Sequence, residues 1–281
     1  MLRCRCSLLV PFLLAAFAPA ALAIVTPTFG PNGTYVRPPG GPSGFLVGSG
    51  GAVEELGAFV AIAGQDLNGA APGTAAQLSV DPVPTGLGLA FSSTLLGADS
   101  TLRLRYDVTN QGAAAVTGLS FLSFLDAEID ETTNTFFNEY ATTAGALAPG
   151  EGYEVDEPGF AFGDIFDHLL AGSLDGTNAV GIASPDDVSM ALSFLIASLA
   201  PGQTARFDLF VSQNGTATGF RIDQLDVDPA STTAITFSGV ASVVPEPATA
   251  ALLGLGLTVL AARARRLSEP HPRGDETGVL S

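Results

Sequence analysis

Tryptophan and lysine are absent from this 281-residue chain, cysteine occurs only as Cys4 and Cys6, and histidine only as His168 and His271. Each gap removes a class of chemistry. Without lysine there is no Schiff-base or pyridoxal site. With both cysteines so early, the region from 24 to 244 holds no disulfide, no thiol nucleophile and no thiolate metal site. His168 is the single histidine of that region, which rules out a multi-histidine metal centre there and makes any Ser-His-Asp constellation depend on it. Flanked by Asp167 and two leucines, it reads as a helix-face residue. No Gly-x-Ser-x-Gly elbow or phosphate loop is present. Four tyrosines and no tryptophan leave few flat faces on which a sugar could stack. Basic charge is equally scarce: residues 24–244 carry five arginines against 24 acidic residues, a balance of −19. That surface repels phosphates and offers no basic footprint, so nucleic acid is excluded as a partner.

Apolar sequence, by contrast, marks both ends. Arg3 and Arg5 precede a short apolar stretch from Leu8 to Phe17, and Ala21-Leu22-Ala23 gives the small-x-small pattern that signal peptidase cuts. Residues 1–23 therefore read as a signal helix delivered to the Sec translocon, with the mature chain starting at Ile24. At the other end, Val244-Pro245-Glu246-Pro247 leads into fifteen small and aliphatic residues, 248–262, and then Arg263, Arg265 and Arg266. Fifteen helical residues cover about 22 Å at ~1.5 Å each, short of the roughly 30 Å hydrocarbon core. The expected transmembrane helix is thus a marginal anchor, lengthened by snorkelling arginines that place the polar tail 267–281 in the cytoplasm. Pro245 and Pro247 favour an extended strip beside the membrane, where a processing enzyme can grip it.

Pro-Glu-Pro, a short hydrophobic helix and an arginine cluster, in that order over 243–266, resemble the PEP-CTERM sorting signal of Gram-negative surface proteins. The resemblance implies that exosortase, a membrane-embedded cysteine transpeptidase, is the partner that processes the chain, and that exopolysaccharide is its setting. It also implies a protein held in the inner membrane before processing and on the cell surface or in the extracellular matrix afterwards.

The region between reads as all-β. Leu102, Leu104, Tyr106 and Val108 alternate with Arg103, Arg105 and Asp107, the period of a strand with one buried face. Val188, Met190, Leu192, Phe194 and Ile196 repeat it, as do Ala205, Phe207, Leu209 and Val211. Leu147-Ala148-Pro149-Gly150 and Leu199-Ala200-Pro201-Gly202 are one tetrapeptide used twice, each before a segment that reads as a strand, and Pro201-Gly202 fits a type II turn. These patterns predict a β-sandwich over 52–242 after a loose Pro/Gly-rich stretch, 24–51, with one short helix over Asp164 to Ala171 stopped by Gly172. Leu104 to Gly112, followed by Leu-Ala-Pro-Gly, is similar to the strand-turn pattern of immunoglobulin-like modules on bacterial surfaces; a jelly-roll-like sandwich satisfies the same pattern.

Candidate chemistry is confined to oxygen ligands. Asp126, Glu128 and Asp130 share one face if they lie on a strand, and crowded carboxylates are the ligand type of calcium. The turn glycine and terminal glutamate of an EF-hand are missing. Asp223, Asp226 and Asp228 form a second cluster. Two functions are compatible with this reading: a non-catalytic envelope or matrix protein, structural or adhesive among exopolysaccharide, or a calcium-dependent carbohydrate-binding module or polysaccharide hydrolase. Absence of a catalytic signature points to the first.

Overall fold

A computed structural model describes residues 27–37, 45–47, 50–97, 101–130, 134–159, 162–213, 217, 219–244, 252, 254–260 and 263. In chain order its strands are β1 (Tyr35–Val36), β2 (Phe45–Val47), β3 (Gly51–Ile62), β4 (Ala76–Gln77), β5 (Leu87–Leu96), β6 (Thr101–Asn110) and β7 (Val116–Ile129). There follow β8 (Glu139–Ala144), β9 (Glu151–Asp156), the short helix α1 (Ile165–Leu170), then β10 (Ser189–Leu199), β11 (Thr204–Gln213), β12 (Arg221–Asp226) and β13 (Ala234–Val244). They make two antiparallel sheets: β1-β3-β7-β10-β9, with β2 and β4 also on β3, and β5-β6-β11-β13-β12-β8. This is the all-β sandwich that the alternation predicts.

Alternation decides which side chains meet between the sheets. Leu104 and Tyr106 of β6 and Phe207 and Leu209 of β11 face Phe121 of β7 and Phe194 of β10 in one core. Its aromatic rings run from layer to layer: Phe91 to Tyr106 at 5.0 Å between centroids, Tyr106 to Phe121 at 4.8 Å, and Phe121 stacked on Phe207 at 4.6 Å. Rings at these separations add attraction beyond the area they bury. The outward residues of β6 and β11 pair across the strands. Arg105 grips Asp208 through two hydrogen bonds of 2.8 and 2.9 Å, and Arg206 grips Asp107 at 2.7 and 2.9 Å. Each couple sits directly opposite in register, so the scarce arginines serve as cross-strand partners.

A second apolar cluster lies on the outer face of the first sheet, where Ile165 and Leu169 of α1 cover Phe59, Leu122, Phe124 and Ala191. Phe166 meets Phe59 and Phe124 edge-on at 5.7 and 5.6 Å. That cover is why β3 and β7 carry near-continuous apolar sequence rather than a strict alternation.

Both Leu-Ala-Pro-Gly segments close as the same turn. Glu151 N–H donates to Ala148 O and Gln203 N–H to Ala200 O, each at 3.0 Å, while Gly150 and Gly202 take positive φ of 88° and 81°, as the third position of a type II turn requires. In each, the residue after glycine reaches back to the alanine N–H: Glu151 at 2.7 Å and Gln203 at 2.8 Å.

The stretch 24–51 is less loose than its composition suggests, since the sheet begins inside it. β1 and β2 pair with β3, Phe29 packs on Phe91 with centroids 5.1 Å apart, and the Tyr106 hydroxyl donates to Gly33 O at 2.6 Å. Gly33 adopts φ 76°, and a Cβ there would stand 2.3 Å from the Phe91 ring, so only glycine lets this segment lie against the core. At the far end β13 runs to Val244. Within the span 248–262, residues 252 and 254–260 are helical with exposed leucine and valine side chains; among the described residues no helix is long and apolar enough to cross a membrane. The signal segment 1–23 and the tail 267–281 lie outside the described residues.

A buried acidic pocket and the C-terminal sorting segment

On β7 the even-numbered residues point to the outer face of the first sheet. Leu122 and Phe124 lie under α1, and one turn of the pleat further along the same face turns acidic. Asp126 and Glu128 follow at the strand end, 6% and 8% exposed. Next to them β3 carries an irregularity: its register with β7 shifts between Val53 and Glu55. The extra residue of such a bulge breaks the alternation, and both Glu54 and Glu55 line the same pocket as Asp126 and Glu128. Asp187, just before β10, completes it. The cavity holds about 290 Å³.

Of the predicted trio, Asp126 and Glu128 meet and Asp130 does not join them. β7 ends at Ile129, and Asp130 takes a left-handed φ of 57°, which breaks the alternation that would have kept it on their face. Its carboxylate instead accepts from the Ser231 hydroxyl at 2.7 Å. Asp187 takes its place: one oxygen each of Asp126, Glu128 and Asp187 lie within 4.8 Å of one another. The second predicted cluster is occupied by protein donors. Asp223 accepts from Arg221 at 2.8 Å and Thr236 at 2.7 Å, and Asp226 from Asn134 at 2.8 Å and Asn138 at 3.0 Å.

Electrostatics in the pocket are one-sided. Burial, then Asp187, Glu55 and Glu54, hold the Asp126 carboxyl well above the usual carboxylate range. Burial alone raises Glu55. Arg37, the one cation lining the cavity among the described residues, is turned to Glu54 at 3.0 Å.

Behind the pocket lies a polar lock that the sequence did not flag. β10 pairs with β7 only as far as Ser189 opposite Asp126, so the last residues of β7 run past their neighbour. Two side chains of the second sheet take over. Glu139 of β8, fully buried, accepts from Ile129 N–H at 2.5 Å, and Gln224 of β12 donates to Ala127 O at 2.5 Å and to Glu139 itself. Burial first and Glu128 second push the Glu139 carboxyl well up, against the hydrogen bonds from Ile129 and Gln224 that hold it down.

His168 lies on α1, as its flanks predict, with Nδ1 2.8 Å from Glu154 and 3.6 Å from Asp164. The hydrogen bond to Glu154 lifts the imidazole above its ordinary value, and burial lifts Glu154 as well. The folded state therefore holds protons at this pair more tightly than the unfolded chain. Stability from His168 is fully present below the unfolded value of 6.5 and is lost as pH rises through the higher folded value. His168→Gln is expected to flatten the fall in unfolding free energy above pH 6.5, measured by denaturant titration across a pH series; an unchanged slope would contradict it.

Asp187, Glu55, Glu139 and Gln224 escaped the sequence reading. The doublets Glu54-Glu55 and Asp186-Asp187 beside strand patterns were the available hint. Of the sorting residues, Arg263 is helical and exposed; Pro245, Glu246, Pro247, Arg265 and Arg266, like Ala21 and Ala23 of the cleavage pattern, lie outside the described residues. No curated protein matches the chain. Residues 243–266 match the PEP-CTERM protein-sorting motif: the chain carries the C-terminal signal of an exported, exosortase-sorted protein.

Proposed function

We propose that this chain is a non-catalytic component of the cell surface or extracellular matrix, structural or adhesive among exopolysaccharide. It enters through the Sec translocon, loses residues 1–23 to signal peptidase, is held briefly by 248–262, and is released by exosortase acting near Pro245-Glu246-Pro247. The observation that carries this reading is the junction of domain and signal. β13 ends at Val244 and the sorting motif starts at 243, so the sandwich is itself the cargo, carried to its destination with no spacer. An acidic surface without lysine suits a hydrated matrix, since net charge of one sign keeps such a domain soluble.

The test has two arms. In the native host, replacing Pro245, Glu246 and Pro247 by alanine is expected to leave the protein in the inner membrane at full length, whereas the unaltered chain reaches the surface or medium; identical fractionation of the two would overturn the sorting route. Purified protein added to the host's own polysaccharide is expected to leave chain length unchanged by size-exclusion chromatography while deletion of the gene loosens the matrix. Shortened polysaccharide would overturn the non-catalytic reading.

A further inference from the structure

We propose that the pocket on the outer face of the first sheet is a calcium site, with Asp126, Glu128 and Asp187 as its protein ligands and Glu55 in its wall. The three carboxylates come from two separate segments, the end of β7 and the turn into β10, and the sheet brings them together. One oxygen of each falls within 4.8 Å of the others. Calcium binds oxygen at roughly 2.3–2.6 Å, so three oxygens within 4.8 Å of one another can all reach one ion. Magnesium demands a strict octahedron and gives up its water reluctantly, so a site that supplies several protein carboxylates suits calcium better. An all-oxygen shell with neither nitrogen nor sulfur disfavours zinc and copper.

A cluster of carboxylates is common on an acidic protein, and this one is set apart by burial. Asp126 is 6% exposed and its Oδ1, facing the cavity, has no hydrogen-bond partner. Directly opposite it in register, Ser189 on β10 is fully buried and its hydroxyl is likewise unmatched. A buried carboxylate oxygen left without a donor costs several kcal/mol unless a cation takes it. The contrast with the other acidic group on the same face is direct: Glu154 accepts from His168 at 2.8 Å and from Asp175 N–H at 3.1 Å, so its charge is already matched from within the protein. Two further features agree. The bulge in β3 brings both Glu54 and Glu55 to the wall of the pocket, and Arg37 is engaged by Glu54 at 3.0 Å. Waters and the second oxygens of the carboxylates would complete the six to eight ligands that calcium takes.

The full-length protein in detergent supplies the test, by thermal melting and calorimetric titration with calcium chloride, magnesium chloride or chelator. Calcium at 10 mM is expected to raise the melting temperature by about 3–8 °C, as mass action gives for the affinities usual in extracellular modules and a domain of this size, and magnesium by much less. Asp126→Asn and Asp187→Asn are expected to abolish the shift. Because each removes a charge repelled by its neighbours, the variants should melt no lower than the unaltered protein in chelator, which separates loss of the site from loss of the fold. Asp130→Asn should keep the full shift. An unmoved melting temperature at 10 mM calcium, or a shift that survives in the Asp126→Asn/Asp187→Asn double variant, overturns the site. An equal shift from magnesium overturns its assignment to calcium.

Discussion

Gln224→Leu is expected to lower the unfolding free energy by about 2–5 kcal/mol, the desolvation cost of leaving two buried hydrogen-bonding groups without their donor. Two groups lose their partner at once. Ala127 O, past the end of the β7–β10 ladder, has no strand to replace the amide, and the fully buried Glu139 loses a donor. A leucine of similar size fills the space, so the loss is polar and not a cavity. The deficit should depend on pH with a definite sign. Gln224 opposes the upward displacement of the Glu139 carboxyl; removing it lets that carboxyl rise further, so the folded variant gains more from binding a proton. Its disadvantage against the unaltered chain therefore grows as pH rises from 5 to 8. Denaturant unfolding at several pH values reads both magnitude and slope. A deficit below 1 kcal/mol, or one constant with pH, would show that Glu139 and Gln224 do not carry the end of β7.

Phe121→Ala should cost as much by a different route. Phe121 is fully buried, with Tyr106 on one side at 4.8 Å and Phe207 stacked on the other at 4.6 Å. Truncating a buried phenylalanine removes its transfer free energy and opens a cavity, together about 3–5 kcal/mol. It also interrupts ring contacts that pass between the sheets. The expected fall in melting temperature is about 6–20 °C for a domain of this length. Because no titratable group is involved, this deficit should hardly change from pH 5 to 8, the opposite of Gln224→Leu. A fall of less than 3 °C would mean that the sheets do not close on each other through this ring.

The contrast between these two sites explains what could be read in the chain beforehand. Phe207 lies on an alternating run, and period-two patterning places it in a core without knowledge of topology, whereas Phe121 stands in the near-continuous apolar run of β7, where the pattern does not say which sheet face it takes. The turns at Pro149-Gly150 and Pro201-Gly202 and the helix around Ile165 and Leu169 are equally local, and each stands where the sequence puts it. The acidic pocket is not local. Glu55 meets Asp126 only because β3 pairs with β7 and slips by one residue on the way, and Asp187 arrives through the pairing of β10. A bulge depends on backbone geometry that no residue type announces. Asp130 shows the limit most plainly: three acids two apart look like one face, yet the strand stops one residue too soon for the third. Glu139 and Gln224 were invisible for a related reason, since the groups they satisfy are orphaned only by the unequal lengths of β7 and β10.

The way β13 meets the tail sets how the domain bears load. β13 lies inside its sheet, with ten register pairs to β11 reaching from Ile235 as far as Val244, whereas β12 flanks only Ala234 to Ser238. A pull along β13 from the membrane side strains the whole row of β11 bonds together, in shear, instead of opening them one after another. Until exosortase cuts the tail, the sandwich is therefore fastened by a joint that yields all at once or not at all.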